Sequence, residues 1–418
     1  MRLSRGAAML TVAFAMVAAG CGGGGEEGTE NAKVVSEAKP TGDVTWCIGK
    51  DTTGAFSTTV NAFNKENPDA NVQLLELPTS ADLQRQQQIQ RLQAESSECD
   101  VLGMDVIWTG EYAGQGWLYD VSSAVQDRQD EFIPSTLETA KYQDKYWGVP
   151  FNTNAGFLYY RTDQVQSPPG TWQDVYSQAQ QENGLIYQGM RYEGLTVDYL
   201  ELLYSAGGQA VSDDGQSSEI DSDQARDVLS FMVDGLNNGA VPKAVTTYDE
   251  EGSRRAFEND QATFMRNWPY AYALDKESSI ADVFAVAKLP AWQGGQPASV
   301  LGGYNLGISA FSDNPEGSLA FVNFATTPQQ QLQMGVKATL PPVLTEVYDD
   351  PQLKKAMPFA EELLAAVQQG QVRPVSPVYT QISEAIYKNV YAALQGDMSP
   401  DEAVSAMDDQ IQKAIETF

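Results

Sequence analysis

The 418-residue chain contains no histidine. That absence excludes Ser-His-Asp and Cys-His nucleophile systems and any His-ligated metal. An enzyme built from this sequence would have to work with carboxylates, Lys or Tyr. Cysteine is scarce as well, with three in all: Cys21, Cys47 and Cys99. Positive charge is short, since 26 Lys and Arg face 56 Asp and Glu, a formal net charge of −30. A surface of that sign repels nucleic acid and anionic lipid, so no nucleic-acid partner is expected. The main apolar run, Ala7 to Ala19, falls short of the about 20 residues that span a bilayer. What is present is a 42% hydrophobic fraction, enough for real cores, and a length that suggests two or three domains.

The run Ala7 to Ala19 follows Arg2 and Arg5 and ends in small residues, the layout of a secretory signal, which predicts a leader over 1–20. Cys21, directly after Ala18-Ala19-Gly20, resembles the lipobox of bacterial lipoproteins, which implies acylation at Cys21 and an extracytoplasmic protein held on the cell membrane by lipid alone. Ala18 stands where that motif most often carries Leu. An ordinary leader cut nearby is the alternative. Gly22–Pro40 is rich in Gly and Glu with almost nothing apolar, so 21–42 is expected to be a disordered tether. With Cys21 lipidated, Cys47 and Cys99 make an even pair in an oxidising compartment, and a disulfide is expected between them; two buried thiols are the alternative.

Hydrophobic spacing predicts strands over Asp43–Gly49, Asn71–Leu77 and Cys99–Val106, with helices over Ser57–Asn67 and Asp82–Ala94 between them. That alternation is the rhythm of a parallel, helix-covered α/β sheet. Ligands of such sheets sit beyond the carboxyl ends of the strands, which points to the loops after Ile48 and after Met104. Farther on, Tyr146–Arg161 reads as two strands around a polar centre. Helices are expected over Trp172–Gln181, Thr196–Ser205, Asp223–Leu236 and Glu316–Ala325, and strands over Ala262–Met265, Asp282–Leu289 and Gly303–Ser309. The last helix carries Ser399, Pro400 and Glu402 as a capping box.

Four segments concentrate aromatics, carboxylates, amides and glycine: Asp105–Asp120, Val149–Arg161, Phe264–Tyr272 with Leu301–Ser309, and Val372–Tyr379. A sugar suits such a set. Carboxylates, amides and Arg pair with its hydroxyls, Trp and Tyr offer flat area to its C–H faces, and neither metal nor other cofactor is needed. Each residue also has a plainer reading. Trp108, Trp117 and Trp147 suit a core better than a ligand, whereas Trp268, before a proline in a polar segment, suits stacking. Asp105 could cap a helix, Arg373 could bridge to a surface acid, and Gly302-Gly303 could be only a turn.

The ordered set DVIWTGEYAGQGWLYDVS, VPFNTNAGFLYYR, FMRNWPYAY, GGYNLGIS and RPVSP resembles the extracellular sugar-binding proteins of ABC importers, especially the trehalose/maltose-binding group, from Asp43 to Phe418. The resemblance implies a periplasmic-binding-protein type II fold, α/β, with two lobes around a ligand cleft. One lobe would comprise 43–151 and 288–336 and the other 155–285 and 337–418, with crossings near Phe151–Asn154, Phe284–Leu289 and Val336–Leu340. It implies a carbohydrate ligand, hinge closure, a membrane permease as partner and a monomer. Asp105 would accept from sugar hydroxyls, Trp268 would stack, Gly303 would offer its backbone and Arg373 would donate from the opposite lobe. Asn152, Asn154 and Tyr304 complete the expected set, with Asp51 from the first loop. Tyr304 stands where many relatives carry Trp and Asn154 where many carry Asp. Other readings are a receptor for another carbohydrate or polyol, an extracellular glycoside hydrolase using Asp105 with Glu111 or Asp51, and a sensor or adhesion lipoprotein. Arg373→Ala and Trp268→Ala are each expected to weaken binding by about 1–3 kcal/mol while the fold survives.

Overall fold

The computed structural model describes residues 32–212 and 215–417. The leader over 1–20 and the lipidation residue Cys21 lie outside the described residues. The strands are β1 (Gly42–Gly49), β2 (Ala70–Leu77), β3 (Val101–Asp105), β4 (Lys141–Tyr142), β5 (Lys145–Tyr146), β6 (Val149–Asn154), β7 (Phe157–Arg161), β8 (Leu185–Ile186), β9 (Phe264–Asn267), β10 (Phe284–Lys288) and β11 (Gly302–Ile308). They form a five-stranded sheet, β2-β1-β3-β11-β6, and a four-stranded one, β10-β7-β9-β8, with β4-β5 a small hairpin. The parallel sheet expected from the first three strands is there, since β1 runs parallel to β2 and to β3. Two antiparallel strands then extend it: β11 pairs with β3 on one side and β6 on the other.

Helices cover both faces of the first sheet, so the end of β1 is buried on both sides, and Trp46, Cys47 and Ile48 are all at 0% exposure. Such a strand reads as an apolar run rather than as clean alternation. Trp46 joins three elements, with its ring 5.1 Å from Phe56, 5.4 Å from Phe151 and 5.2 Å from Phe321. On the other face Cys47 and Cys99 form a disulfide, Cα atoms 5.7 Å apart. It packs in a cluster with Trp108, Tyr112 and Trp147, and Trp117 lies against its edge.

The helices of the second unit follow their sequence signals. Trp172–Gln181 has the expected limits and is capped by Thr171; Asp223–Asn238 is capped by Ser222. The C-terminal helix, Pro400–Glu416, starts at Ser399 with both capping-box hydrogen bonds present. The Thr196–Ser205 helix begins three residues earlier than expected, at Glu193, and that difference matters for the site.

Two expectations are corrected. Residues 32–40 are not a free spacer: Val34 bridges Asp120, Val35 is buried, and the Lys39 amide donates to Glu316 O. Val35 is buried while Val34 stays exposed, and the segment is held by backbone bonds from Val35 N to Asp120 O and from Asp120 N to Lys33 O together with that burial. The crossings also lie elsewhere than expected. Residues 151–154 are still β6, and the passage to β7 is Ala155-Gly156. Phe284–Lys288 pairs throughout with β7, and the chain joins the first sheet only at Gly302. Between these points Trp292 N and Val300 N donate to Ser205 Oγ and Glu201, so 289–301 stays with the second unit. After the helix Pro328–Ala338 the chain remains on the first unit, where Ile133 N donates to Val343 O and Thr153 N to Pro341 O. It meets the second unit from Phe359, whose ring lies 5.3 Å from Phe157 and 5.1 Å from Tyr272, through Gln371, which exchanges backbone bonds with Ser299 and Leu301, to the helix Tyr379–Gln395, which packs on Glu193–Ser205. A crossing carries the same residue types as a strand, so spacing cannot locate it.

Candidate functional site

The carboxyl ends of β1 and β3 and the start of β11 face Tyr192, Glu193, Glu250 and Trp268 of the second unit across a cavity of about 220 Å³. Both loops singled out by topology reach it. All eight expected residues line it: Asp51, Asp105, Asn152, Asn154, Trp268, Gly303, Tyr304 and Arg373.

Their local roles differ. Asp51 organises its own loop, where Oδ1 accepts from Thr53 N at 2.7 Å and Oδ2 from Phe56 N at 2.8 Å. Both its oxygens are thus engaged at the start of the helix Ala55–Glu66. Asp105 ends β3, and Oδ1 accepts from Ile107 N at 3.2 Å, so the cap reading is present. The same oxygen accepts from Arg373 Nη2 at 3.3 Å. Gly303 has φ 120°, and a Cβ there would stand 2.2 Å from Asn152 O, so only glycine lets β11 approach β6 at the cavity wall. Tyr304 donates from its hydroxyl to Gln84 Oε1 at 3.2 Å, and burial pushes its pKa up.

Arg373 is no surface bridge. It is 4% exposed. Nη1 donates to Glu193 Oε1 at 2.6 Å and Nη2 to Leu301 O at 3.1 Å, in addition to its bond to Asp105. One guanidinium therefore joins the end of β3, the segment leading to β11 and the first turn of Glu193–Ser205. Glu193 also accepts from Tyr379 at 2.9 Å and from Ser383. Burial raises Asp105 and Glu193 above the usual carboxylate range, against the pull of Arg373. Burial alone would lower Arg373, but Asp105, Tyr379 and Glu193 hold it above its ordinary value.

Trp268 is half-buried. The Arg266 guanidinium lies 3.9 Å from its ring centroid, a close cation–π contact beneath a ring that lines the cavity. The far side of the cavity is acidic. Glu251 accepts from Arg254 and from the Tyr270 hydroxyl at 2.8 Å. Glu250 forms no ion pair within 4.0 Å among the described residues, and burial raises it beside the Tyr192 hydroxyl.

Sequence reasoning missed Glu193, Gln84, Tyr192, Glu250, Glu251 and Tyr270. Glu193 had one available signal, an acid at a helix start, but it fell outside the expected helix. The others are single polar residues without a spacing motif. The acid pairs required by a hydrolase are not free, because Glu111 is held by Arg85, with Nε 2.8 Å from Oε2, while Asp51 and Asp105 are engaged as described. Asn152 Oδ1, Asn154 Oδ1 and Arg373 Nε are buried and make no hydrogen bond among the described residues. A wall of open acceptors and donors with one aromatic plate can hold a polyhydroxyl ligand without transforming it.

Comparison with known proteins agrees with this geometry. The model of the family described as bacterial extracellular solute-binding protein matches residues 49–332. A probable ABC transporter-binding protein of Deinococcus radiodurans is 34% identical over 364 residues, covering 82% of this chain and 86% of the relative. The maltose-bound MalE3 of T. maritima superposes with a TM-score of 0.85 at 34% identity, over 89% of this chain and 99% of that one. A ribitol-bound solute-binding protein from Agrobacterium radiobacter has a TM-score of 0.79 at 20% identity, over 91% of this chain and 100% of that one, a likeness of fold alone. The fold is the periplasmic-binding-protein type II fold, two α/β units around a cleft. The chain belongs to the bacterial extracellular solute-binding protein family, whose members serve ABC transporters by binding a solute and are not enzymes.

Proposed function

We propose that this protein is the extracytoplasmic receptor of an ABC importer for a disaccharide or short α-glucoside of trehalose or maltose type. The two units close on the sugar, and the closed form docks on a membrane permease. Asp105, Asn152, Asn154 and the Gly303 backbone bind hydroxyls from the first unit. Trp268 stacks on a ring, and Arg373 donates across the cleft. Tyr304 shapes the wall, and Asp51 holds the loop that closes it. The lipid on Cys21 anchors a monomer to the cell membrane.

The observation that carries this reading is the half-buried Trp268 plate in the same cavity as the Asp105–Arg373 pair and the open Asn152 and Asn154 oxygens. Flat apolar area beside charge-assisted donors and acceptors fits a pyranose ring better than a small linear solute. The maltose bound to MalE3, at 34% identity, supports it, as does a maltotriose-binding protein of Pyrococcus abyssi, 24% identical over 65% of this chain and 60% of its own. Calorimetry of the mature domain against trehalose, maltose, maltotriose, ribitol and mannitol tests it. The expected result is saturable heat from an α-glucoside and none from the linear polyols. Binding of a polyol alone would replace this reading with a polyol receptor, and glucose release from a disaccharide would replace it with a hydrolase.

A further inference from the structure

Beneath the Trp268 plate lies a buried polar group that ligand contact does not require. Arg266 and Glu201 are each 1% exposed. Arg266 Nε and Nη2 donate to the two Glu201 oxygens, both at 2.7 Å, and Nη1 donates to Gln188 Oε1 at 2.9 Å. Asp198 stands 3.1 Å from Arg266 Nε. A buried pair of this kind adds little net stability, because removing both charges from water offsets their attraction. Its value has to be sought in what it positions.

Its two ends touch different things. On one side the guanidinium lies 3.9 Å from the Trp268 ring centroid. On the other, Glu201 Oε1 accepts from Val300 N at 3.3 Å and from Ser299 Oγ at 3.4 Å, and Ser299 Oγ itself accepts from Gly156 N at 2.6 Å. Gly156 and Ser299-Val300 belong to the two connections between the sheets described above. No slack is left at the junction, since a Cβ on Gly156 would stand 2.4 Å from Glu201 Oε1 and 2.7 Å from Arg266 Nη2. The second connection also reaches the ring directly, because a Cβ on Gly302 would lie 3.2 Å from Trp268 Cη2. One carboxylate is thus bonded to the second connection directly, to the first through Ser299 Oγ, and to the cation under the aromatic plate.

We infer that Glu201 and Arg266 are positioning residues that couple the set of the Trp268 ring to the conformation of two of the connections between the units, those at Gly156 and Ser299-Val300. A ligand pressing on the ring bears on Arg266, and Arg266 can shift only if Glu201 alters its bonds to Val300 and Ser299. Bending of either connection pulls in the opposite direction on the plate. The inference rests on Trp268 being the ring platform of the proposed sugar receptor.

Glu201→Gln would leave Arg266 short of charge and could unfold the second unit, so Ser299→Ala is the sharper variant. It removes the hydroxyl between Gly156 N and Glu201 and leaves the ion pair and the cleft intact. Two measurements follow. The first is the indole N–H resonance of Trp268 in ligand-free protein, assigned by its loss in Trp268→Phe. The second is the maltose or trehalose Kd of wild type, Ser299→Ala, Trp268→Ala and the double variant. The resonance is expected to move in Ser299→Ala. The affinity loss of that variant, threefold or more, is expected to vanish in the Trp268→Ala background, the signature of coupled positions. Losses that multiply overturn the inference whether or not the resonance moves. If no sugar binds wild type, the sugar-receptor reading falls separately, and the resonance alone decides: movement upholds the coupling and a fixed signal overturns it.

Discussion

Replacing Arg373 with alanine should damage stability in a way that depends on pH. The sequence alone suggested a cleft residue whose loss would leave folding untouched. In the structure its guanidinium is the cation of two buried carboxylates, 3.3 Å from Asp105 and 2.6 Å from Glu193, and it also holds Leu301 O. Removing one partner of a buried pair costs about 3–5 kcal/mol, because the remaining charge stays buried and uncompensated. Asp105 is 15% exposed at the side chain and Glu193 8%, so water reaching Asp105 should bring the loss towards the lower figure. The sign of the pH effect follows from linkage. Without Arg373 the folded-state pKa of both acids rises farther above the unfolded value. The folded form is then at no disadvantage below an unfolded pKa of about 4, and the deficit grows as pH rises through the folded values. Urea midpoints of wild type and Arg373→Ala at pH 4.5 and 7.5 measure it. A difference of about 3 kcal/mol at pH 7.5 that shrinks by half or more at pH 4.5 is expected. A deficit below about 1 kcal/mol, or one equal at both pH values, would refute the reasoning that Arg373 compensates buried charge.

Trp268→Ala should behave in the opposite way. The ring is half-buried at the cavity wall, so sugar affinity should fall by about 1–3 kcal/mol by calorimetry, with only a small change in melting temperature. Asp275 is at 0% exposure, and burial beside Glu258 raises it to about 8. A raised carboxylate favours folding below its unfolded pKa and loses that contribution as pH climbs through the folded one. Asp275→Asn should therefore be more stable than wild type at pH 8.5 and not at pH 4, by about 2 kcal/mol or more in denaturant titration. The disulfide closes a separation of 52 residues, so Cys47→Ser with Cys99→Ser should lower stability by about 3–4 kcal/mol while the sugar Kd of the folded fraction stays within a few-fold.

The elements of the fold were largely readable because their signals are local. Val404, Met407 and Ile411 mark one face of the last helix at helical spacing, and Ser399 with Glu402 marks its start; burial and capping follow both. Asp105 could be singled out because an acid directly after an apolar strand needs partners. The crossings could not be placed, since Phe284–Lys288 and Gly302–Ile308 look alike as strands and only pairing assigns one to each sheet. Glu193 was hidden for a related reason. Its partners Arg373, Tyr379 and Ser383 stand 180 or more positions away, and nothing near it in the chain records them. The docking of 32–40 rests on one buried side chain, Val35, and on backbone bonds to Asp120 and Glu316, a signal too small for composition to register.

The placement of β11 bears on how the chain reaches its folded state. It lies inside the first sheet, between β3 and β6, although nearly 150 residues separate it from β6 in sequence. Until Gly302–Ile308 arrives, β3 and β6 each present an unpaired edge in that sheet. An N-terminal fragment ending near residue 300 would hold two open strand edges and a half-covered apolar core, the conditions for edge-to-edge association. The first unit therefore cannot mature ahead of the second during synthesis. The first sheet is completed through contacts of long sequence separation, whose formation is correspondingly slow.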